Sequence, residues 1–261
     1  MYVRPKKNLG QHFLHEEGIA ASIVESLGEG NISESEMMDV LEVGPGTGVL
    51  TKYLLKRDDV ALKLVELDSE SVLYLRLNYP QVQNVLYEED FLEMKLEKFF
   101  DRDFRIIGNF PYNISSQIFF KVLDYRERIP EVVGMVQKEV ADRIASPPGN
   151  KAFGILSVLL QAWYDIEYLF TVEPWAFTPP PKVRSAVIRL RRNGRVSLGC
   201  DETLFKSVVK TTFNQRRKTI RNSIKPLLGD RPIPDSPLLV KRPEQLGVEE
   251  FVELTLLLSQ N

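Results

Sequence analysis

Apolar residues follow two different spacings along the first part of the chain. Nearly uninterrupted apolar runs, as expected of strands buried in a sheet, occur at residues 39–43, 60–66, 82–87, 105–108 and 131–136. Apolar side chains at helical spacing occur before and between these runs, at residues 16–27, 47–56, 69–78 and 115–123. This alternation predicts an α/β fold with a parallel, doubly wound sheet.

The C-terminal part of the chain has a different pattern. Residues 152–163 have helical spacing, whereas residues 165–172 and 183–190 alternate like a pair of strands at the end of the sheet. After Asp201 no strand pattern appears, and helices are predicted at residues 204–213, 216–224 and 248–258. We therefore expect a Rossmann-like catalytic domain over residues 1–195 and a small C-terminal α-helical domain over residues 196–261.

Composition narrows the class of protein. The 261 residues are 43% hydrophobic and 27% charged, without an apolar run long enough to span a membrane, which excludes a fibre, a disordered chain and a membrane protein. The first residues carry basic side chains but lack the apolar stretch and cleavage site of a secretory signal, so we expect a cytoplasmic protein. One cysteine and two histidines exclude an internal disulfide and an ordinary zinc site, so we expect metal-free chemistry.

Charge is unevenly distributed along the chain. Residues 182–231 contain fourteen Lys or Arg and three acids, a net charge of +11, while the other 211 residues carry −13. Such a strip holds like charges together at an electrostatic cost, which a polyanion compensates when its phosphates release counterions on binding. Nucleic acid is therefore the first partner to consider.

A glycine turn follows the first strand of the sheet. Gly44, Gly46 and Gly48 precede a predicted helix, where glycines allow a ligand to approach the backbone. The second strand ends at Glu66, 20 residues after Gly46, where a carboxylate can accept both hydroxyls of a ribose. NAD and S-adenosylmethionine both fit this acid, but the compact GxGxG spacing favours S-adenosylmethionine over a dinucleotide. Asp90 adds an acceptor for an adenine amino group, unless it only caps a helix.

An Asn-Phe-Pro-Tyr turn follows the fourth strand, whose end should lie beside the bound ligand. The amine of adenine is a poor nucleophile because its lone pair is delocalised into the ring, so catalysis needs hydrogen-bond acceptors. The side-chain oxygen of Asn109 and the backbone carbonyl of Phe110 can each take one N–H of that amine. Tyr112 can stack on a base that has been flipped out of its helix.

Three further segments carry a resemblance to a known family. These are residues 6–14 (KKNLGQHFL), 177–183 (FTPPPKV) and 213–219 (FNQRRKT). Together with the glycine turn, Glu66, Asp90 and the Asn-Phe-Pro-Tyr turn, they resemble the ribosomal RNA adenine N6-dimethyltransferases of the kasugamycin-sensitivity type over nearly the whole chain. The chain departs from that family at His12, where many relatives carry Asn. A backbone contact to the cofactor would tolerate this change, whereas a side-chain contact would be affected.

The resemblance implies roles for particular residues. The predicted cofactor site comprises Gln11, His12, Leu14, Gly44, Gly46, Glu66, Leu67, Asp90, Phe91 and Asn109. The predicted catalytic residues are Asn109, Phe110, Pro111, Tyr112 and Phe177, the last as a second aromatic around the flipped base. The predicted RNA-binding residues are Lys182, Arg184, Arg216, Arg217, Lys218 and Arg221.

The resemblance also implies a substrate. It is a pair of adjacent adenosines in a hairpin loop near the 3′ end of 16S ribosomal RNA, each methylated twice within an immature small subunit.

No exposed apolar stripe stands out in the sequence, so we expect a monomer.

Three alternative functions would share part of this sequence pattern. The 23S ribosomal RNA adenine methyltransferases of the macrolide-resistance type share the cofactor motifs, but residues 213–222 favour the 16S enzyme. A non-catalytic RNA-binding assembly factor is disfavoured because every catalytic position carries a competent residue. A DNA adenine methyltransferase has a similar turn but would not be expected to carry the C-terminal signature.

Overall fold

The computed structural model describes residues 3–28 and 37–259. The chain divides into two compact units, the first spanning Met1–Ala141 with Glu167–Arg192 and the second spanning Asp142–Ile166 with Asn193–Asn261. The predicted boundary after residue 195 lies close to the end of the first unit. The sequence did not indicate that residues 142–166 pack with the C-terminal helices.

Nine strands occur in the described residues. They are β1 (Phe13–Leu14), β2 (Met38–Val43), β3 (Val60–Glu66), β4 (Leu86–Glu88), β5 (Phe104–Asn109), β6 (Glu131–Gln137), β7 (Tyr164–Val172), β8 (Phe177–Thr178) and β9 (Ser185–Arg192). Seven of them form one sheet in the order β4-β3-β2-β5-β6-β9-β7. The first five strands of that order are parallel, whereas β9 is antiparallel to β6. The predicted α/β sheet is confirmed, but the sequence pattern did not reveal that β9 runs antiparallel to β6.

The helices are α1 (Glu17–Glu25), α2 (Thr51–Leu54), α3 (Ser69–Asn78), α4 (Ser115–Asp124), α5 (Lys138–Ala145), α6 (Ile155–Gln161), α7 (Glu202–Asn214), α8 (Ile220–Ser223), α9 (Lys225–Leu228) and α10 (Val248–Ser259). Side chains from β2, β3, β5 and β6 pack with α1 in a core that includes Val40, Leu64, Ile107, Val133 and Ile23. Within the described ranges, no helix combines the length and apolar character that a membrane crossing requires.

The predicted helix at residues 47–56 is wrong in extent. Only Thr51–Leu54 are α-helical, and residues 46–50 form turns. Gly44, Gly46 and Gly48 all have positive φ, of 69°, 57° and 83°. A right-handed helix cannot contain such backbone angles, so it begins only after the last of these glycines.

A second, two-stranded sheet pairs β1 with β8 in antiparallel register, with Phe13 opposite Thr178 and Leu14 opposite Phe177. Strands of two residues have no periodicity to detect, so the sequence did not predict this pairing. It attaches the N-terminal segment to the chain that precedes β9.

The second unit is held by aromatic packing. The ring of Phe213 on α7 lies 5.8 Å from the ring of Phe251 on α10 and 6.3 Å from that of Phe153, just before α6. The helix α6 contacts both α7 and α10. Burial of these faces explains why residues 142–166 belong to this unit.

Candidate active site

The candidate site lies where the order of the sheet reverses direction. β2 has β3 on one side and β5 on the other, so the loops after these strands diverge and leave a crevice at their carboxyl ends. A pocket of the first unit lies in this crevice. Its walls come from residues 9–13, the glycine turn, the end of β3, residues 89–92 and residues 109–114.

Most of the predicted site residues line this one pocket. From the predicted cofactor set these are Gln11, His12, Gly44, Gly46, Glu66, Leu67, Asp90, Phe91 and Asn109. From the predicted catalytic set they are Asn109, Phe110, Pro111 and Tyr112. The carboxyl ends of successive parallel strands therefore bring these separate motifs together.

Leu14 and Phe177 are not at the pocket. Their side chains are 2% exposed and belong to the hydrophobic core of the first unit. In β8 the side chain of Phe177 points inward while that of Thr178 is exposed, as strand alternation requires. The structure therefore does not place these two side chains at the pocket, and the contacts of Leu14 with the cofactor and of Phe177 with the flipped base stay predictions.

The turn after β2 needs glycine for two reasons. Gly46 has a positive φ, and a Cβ at this position would lie 2.9 Å from the ring of Phe13. Its N–H donates to Oε2 of Glu66 over 3.0 Å. The turn thus offers bare backbone to a ligand and is attached directly to the acid at the end of β3.

Glu66 is 6% exposed and is anchored by the backbone at both oxygens. Oε2 accepts the Gly46 N–H, and Oε1 accepts the N–H of Asp68 over 2.9 Å. Burial raises the pKa of Glu66 above its ordinary value, although the backbone N–H groups oppose this rise. Because each oxygen still has acceptor capacity, the carboxylate can take two hydroxyl donors, as the ribose prediction requires.

A second buried acid lies behind the glycine turn. Glu42 in β2 is 1% exposed, and its Oε2 accepts the hydroxyl proton of Thr51 over 2.7 Å. Burial raises the pKa of Glu42 to about 8, with a smaller contribution from the charge of Glu66. The sequence analysis missed this residue, although an acid between Leu41 and Val43 in a buried strand was a visible signal.

Asp90 caps a turn and also lines the pocket, so its role as an acceptor for an adenine amino group stays a prediction. Its Oδ1 accepts the N–H of Leu92 over 2.8 Å, which caps the turn after β4, while the residue also lines the pocket. Lys121 on α4 supports the same turn, since its Nζ donates to the carbonyl of Leu92 over 2.9 Å and to that of Met94. The ammonium also lies 5.1 Å from the centre of the Phe91 ring. Nothing in the sequence pattern pointed to Lys121.

Asp68 holds the N-terminal segment, residues 6–11, at the pocket. Nζ of Lys6 forms an ion pair with Oδ1 of Asp68, and Nε2 of Gln11 lies 3.4 Å from its Oδ2. Burial alone would raise the pKa of Asp68, but the hydrogen bonds from Lys6, Ser71 and Gln11 outweigh it and lower the pKa. Gln11 is therefore held at the pocket by a residue that the sequence analysis did not identify.

The Asn-Phe-Pro-Tyr turn is held in place at three of its four residues. Asn109 donates from Nδ2 to the carbonyl of His12 over 2.9 Å. The Phe110 ring is fully buried and packs so closely that a Cβ on Gly134 would lie 2.5 Å from it. The Tyr112 hydroxyl is hydrogen-bonded to Oγ of Ser185, and burial raises the pKa of Tyr112.

The His12 ring lies beside the Asn-Phe-Pro-Tyr turn. Its Nδ1 is 2.8 Å from the carbonyl of Pro179, which can only accept, so this nitrogen carries the proton. The ring is stacked on Tyr112 with a centroid distance of 5.3 Å. The His12 side chain therefore contacts Pro179 and Tyr112, whereas the backbone carbonyl of His12 accepts the hydrogen bond from Asn109.

The predicted RNA-binding residues lie on both units. Lys182 and Arg184 are exposed in the first unit, and Arg217, Lys218 and Arg221 are exposed in the second. Arg216 differs from them because it donates to the carbonyl of Lys151 and lies 3.9 Å from the carboxylate of Glu244. No cluster of three or more His, Cys, Asp or Glu side chains suited to a metal occurs in the described ranges.

A glycine turn, a buried acid accepting from that turn, and a second acid at the next strand end fit S-adenosylmethionine. The sheet order and this pocket define an α/β methyltransferase that uses S-adenosylmethionine. Solved structures with a similar fold include a dimethyladenosine transferase from Plasmodium falciparum, at a TM-score of 0.77 and 24% identity, covering 95% of this chain and 98% of that one. The 23S rRNA methyltransferase ErmE has a TM-score of 0.69 and 25% identity, covering 93% of this chain and 99% of its own.

Sequence similarity along the chain shows the family to which the protein belongs. Residues 3–233 match the family described as "Ribosomal RNA adenine dimethylase". A protein of Parabacteroides distasonis named "Ribosomal RNA small subunit methyltransferase A" is 59% identical over 98% of this chain and 94% of its own length. The chain belongs to the ribosomal RNA adenine dimethylase family, and the resemblance inferred from the motifs is confirmed.

Proposed function

We propose that this protein transfers two methyl groups to each of two adjacent adenosines in the 3′-terminal hairpin loop of 16S ribosomal RNA. It would act in the cytoplasm as a monomer on an immature small ribosomal subunit. The observation that carries this proposal is the Asn109 amide, whose Nδ2 is engaged by the carbonyl of His12. Its Oδ1 remains as an acceptor at the edge of the cofactor pocket.

Bound S-adenosylmethionine supplies an electrophilic methyl group on a sulfonium centre. The chain itself binds the cofactor, with the Glu66 carboxylate accepting from hydroxyls and Asp90 accepting from the adenine amino group. Because Asn109 is fixed by His12, its Oδ1 can take one N–H of the target amine without first reorganising. The carbonyl of Phe110, on a residue whose N–H is bonded to Met135 over 3.0 Å, takes the other N–H.

These two acceptors draw the amine out of conjugation with the adenine ring. With S-adenosylmethionine bound, the nitrogen lone pair would face the methyl group, which the cofactor would supply as the S–C bond is exchanged for a C–N bond, and the surplus proton would leave the nitrogen for solvent. After the first transfer only one N–H remains. The monomethylated base must therefore rotate so that this N–H meets one acceptor and the lone pair faces the cofactor again.

Basic side chains supply the contacts to RNA. We assign phosphate contacts to the exposed Arg217, Lys218 and Arg221 of the second unit and to Lys182 and Arg184 of the first. Bases in a hairpin loop are partly unstacked, which lowers the cost of extruding the target adenine into the pocket.

A 23S ribosomal RNA substrate is the main rival within this class of enzyme. The name of the P. distasonis relative, at 59% identity, supports the small subunit, whereas the similarity to the 23S enzyme is 25%. A non-catalytic assembly factor or a DNA methyltransferase would keep the cofactor pocket but give no methylated ribosomal RNA.

The test is methyl transfer from labelled S-adenosylmethionine to small subunits isolated from cells that lack this gene. Large subunits and duplex DNA serve as parallel substrates. We expect four methyl groups per small subunit, recovered as N6,N6-dimethyladenosine. Label in the large subunit, label in DNA, or cofactor binding without any transfer would each overturn the proposal in favour of the corresponding rival.

A further inference from the structure

A groove of the first unit lies directly beside the Asn-Phe-Pro-Tyr turn. It is lined by Gln137, Lys138, Glu139, Glu173, Pro174 and residues 182–184. Gln137 pairs with Ser185 across β6 and β9, and Ser185 holds the hydroxyl of Tyr112. The groove therefore begins one residue from the side chain that touches Tyr112, at the same edge of the sheet as the cofactor pocket.

The groove has cations that can exchange their present partners for a phosphate. The Lys182 side chain is exposed. The Arg184 guanidinium lies 3.8 Å from the Glu173 carboxylate, with these side chains 54% and 49% exposed. Exposed ion pairs of this kind contribute little free energy, so a phosphate can replace the carboxylate at small cost. The backbone beneath is fixed, since the Arg184 carbonyl accepts the N–H of Lys138 over 2.9 Å.

An exposed tryptophan follows the groove residue Pro174. Trp175 is 63% exposed. Among residues 3–28 and 37–259 it has no ring or cation partner. Its neighbour Ala176 is buried, and the carbonyl of Ala176 accepts the N–H of His15 over 3.0 Å. Trp175 thus presents a large apolar surface to solvent from a short 3₁₀ turn, Pro174–Ala176, that is held at its far end.

An exposed aromatic next to exposed cations is the combination that binds single-stranded nucleic acid, because bases stack on the ring while phosphates meet the charges. A flipped adenine leaves its neighbours in the loop without a stacking partner. We propose that this groove is a subsite for the nucleotide that flanks the target adenosine, with its base on Trp175 and its phosphate on Lys182 and Arg184. The inference rests on the proposed RNA substrate and extends it by one nucleotide.

The first test is binding of the full-length protein to a synthetic RNA hairpin whose loop contains two adjacent adenosines. We expect Trp175→Ala to weaken binding about tenfold, the loss typical of one stacked base. Leu77→Ala, which truncates an apolar side chain of similar exposure (62%) on α3, should leave binding unchanged. Equal affinity of the wild type and Trp175→Ala would overturn the inference and favour a protein partner for this patch.

Fluorescence gives an independent readout. Trp163 is 5% exposed and Trp175 is the accessible fluorophore. RNA should quench the emission of the wild type but not that of Trp175→Phe, which keeps an aromatic ring and should bind within a few-fold of the wild type. Equal quenching in both proteins would contradict stacking on Trp175.

A double-mutant cycle connects the side chain to the flanking base. An abasic residue on one side of the adenosine pair should weaken wild-type binding about tenfold and have no further effect on Trp175→Ala. Abasic substitutions on either side that affect both proteins equally would overturn the inference. Methyl transfer by the wild type in the subunit assay keeps the proposed function separate from this result.

Discussion

The Asn109 side chain donates its Nδ2–H to the backbone carbonyl of His12 across 2.9 Å. This bond joins the end of β5 to the N-terminal segment, which is also fastened to Asp68 through Lys6 and Gln11. It fixes which end of the Asn109 amide faces the pocket. The carbonyl oxygen, which is the end that can accept from an amine, stays available.

Loss of the Asn109 amide should reduce turnover more than cofactor binding. Asn109→Ala removes the acceptor that meets the target amine, and we expect kcat to fall by about 100-fold. Asn109→Asp should also fail, because a carboxylate oxygen would face the His12 carbonyl without a proton between them. Single-turnover kinetics and calorimetric titration of S-adenosylmethionine measure the two effects. Equal losses in kcat and in cofactor affinity would contradict a role at the target amine.

Glu66→Ala should have the opposite profile. It removes an anchored carboxylate that would accept two hydroxyls, so cofactor affinity should fall by about tenfold or more while kcat at saturating cofactor changes less. Because burial raises the Glu66 pKa, the wild type should lose cofactor affinity as pH falls through a range above the usual Glu value. Affinity measured from pH 8 to pH 5 tests this, and Glu97→Ala, at an exposed acid, is the matched control. An unaltered affinity would remove Glu66 from the site.

Glu42 should make stability depend on pH. Its pKa is about 8 in the folded protein and about 4.5 in the unfolded chain, so the folded state binds the extra proton. Below pH 4.5 Glu42 is protonated in both states and does not reduce the free energy of unfolding. As the pH rises from there to about 8, the free energy of unfolding falls. Glu42→Gln mimics the protonated form and should be more stable than the wild type at pH 9.

Urea unfolding of the wild type and Glu42→Gln at several pH values measures this difference. The free energies of unfolding should converge at low pH and separate steadily between pH 5 and pH 8. Parallel curves across that range would show that Glu42 titrates normally in the folded protein.

Substitution of the exposed basic residues of the second unit should have a different effect from substitution of Arg216, which is hydrogen-bonded to the Lys151 carbonyl. Replacing Arg217, Lys218 and Arg221 with Ala should weaken RNA binding and lower its salt slope by about one for each phosphate that is no longer neutralised, without changing cofactor affinity. Arg216→Ala should mainly lower stability, by about 1 kcal/mol, because it removes a hydrogen bond to the Lys151 carbonyl and the guanidinium that lies 3.9 Å from a buried oxygen of Glu244. Filter binding over a salt series and thermal unfolding separate the two effects. A salt slope unchanged by the triple substitution would exclude this surface from the RNA interface.

The sequence by itself determined the sheet and the position of the chemistry on it. Buried parallel strands have a local apolar signature, so β3 and β5 were located within a residue or two. The carboxyl ends of parallel strands meet at one edge, and this rule alone was enough to bring Gly46, Glu66, Asp90 and Asn109 to one pocket. Both inferences depend only on residues close together in the chain.

Tertiary structure decided what depends on distant contacts. The pairing of β1 with β8 turns Phe177 into the core, and two residues of strand carry no periodic signal. The Lys121 ammonium supports the turn at Asp90 from another helix, and the His12 ring rests on Tyr112 and the Pro179 carbonyl. Such contacts join segments whose separation along the chain leaves no local pattern, because their free energy comes from burial and hydrogen bonding that exist only in the folded protein.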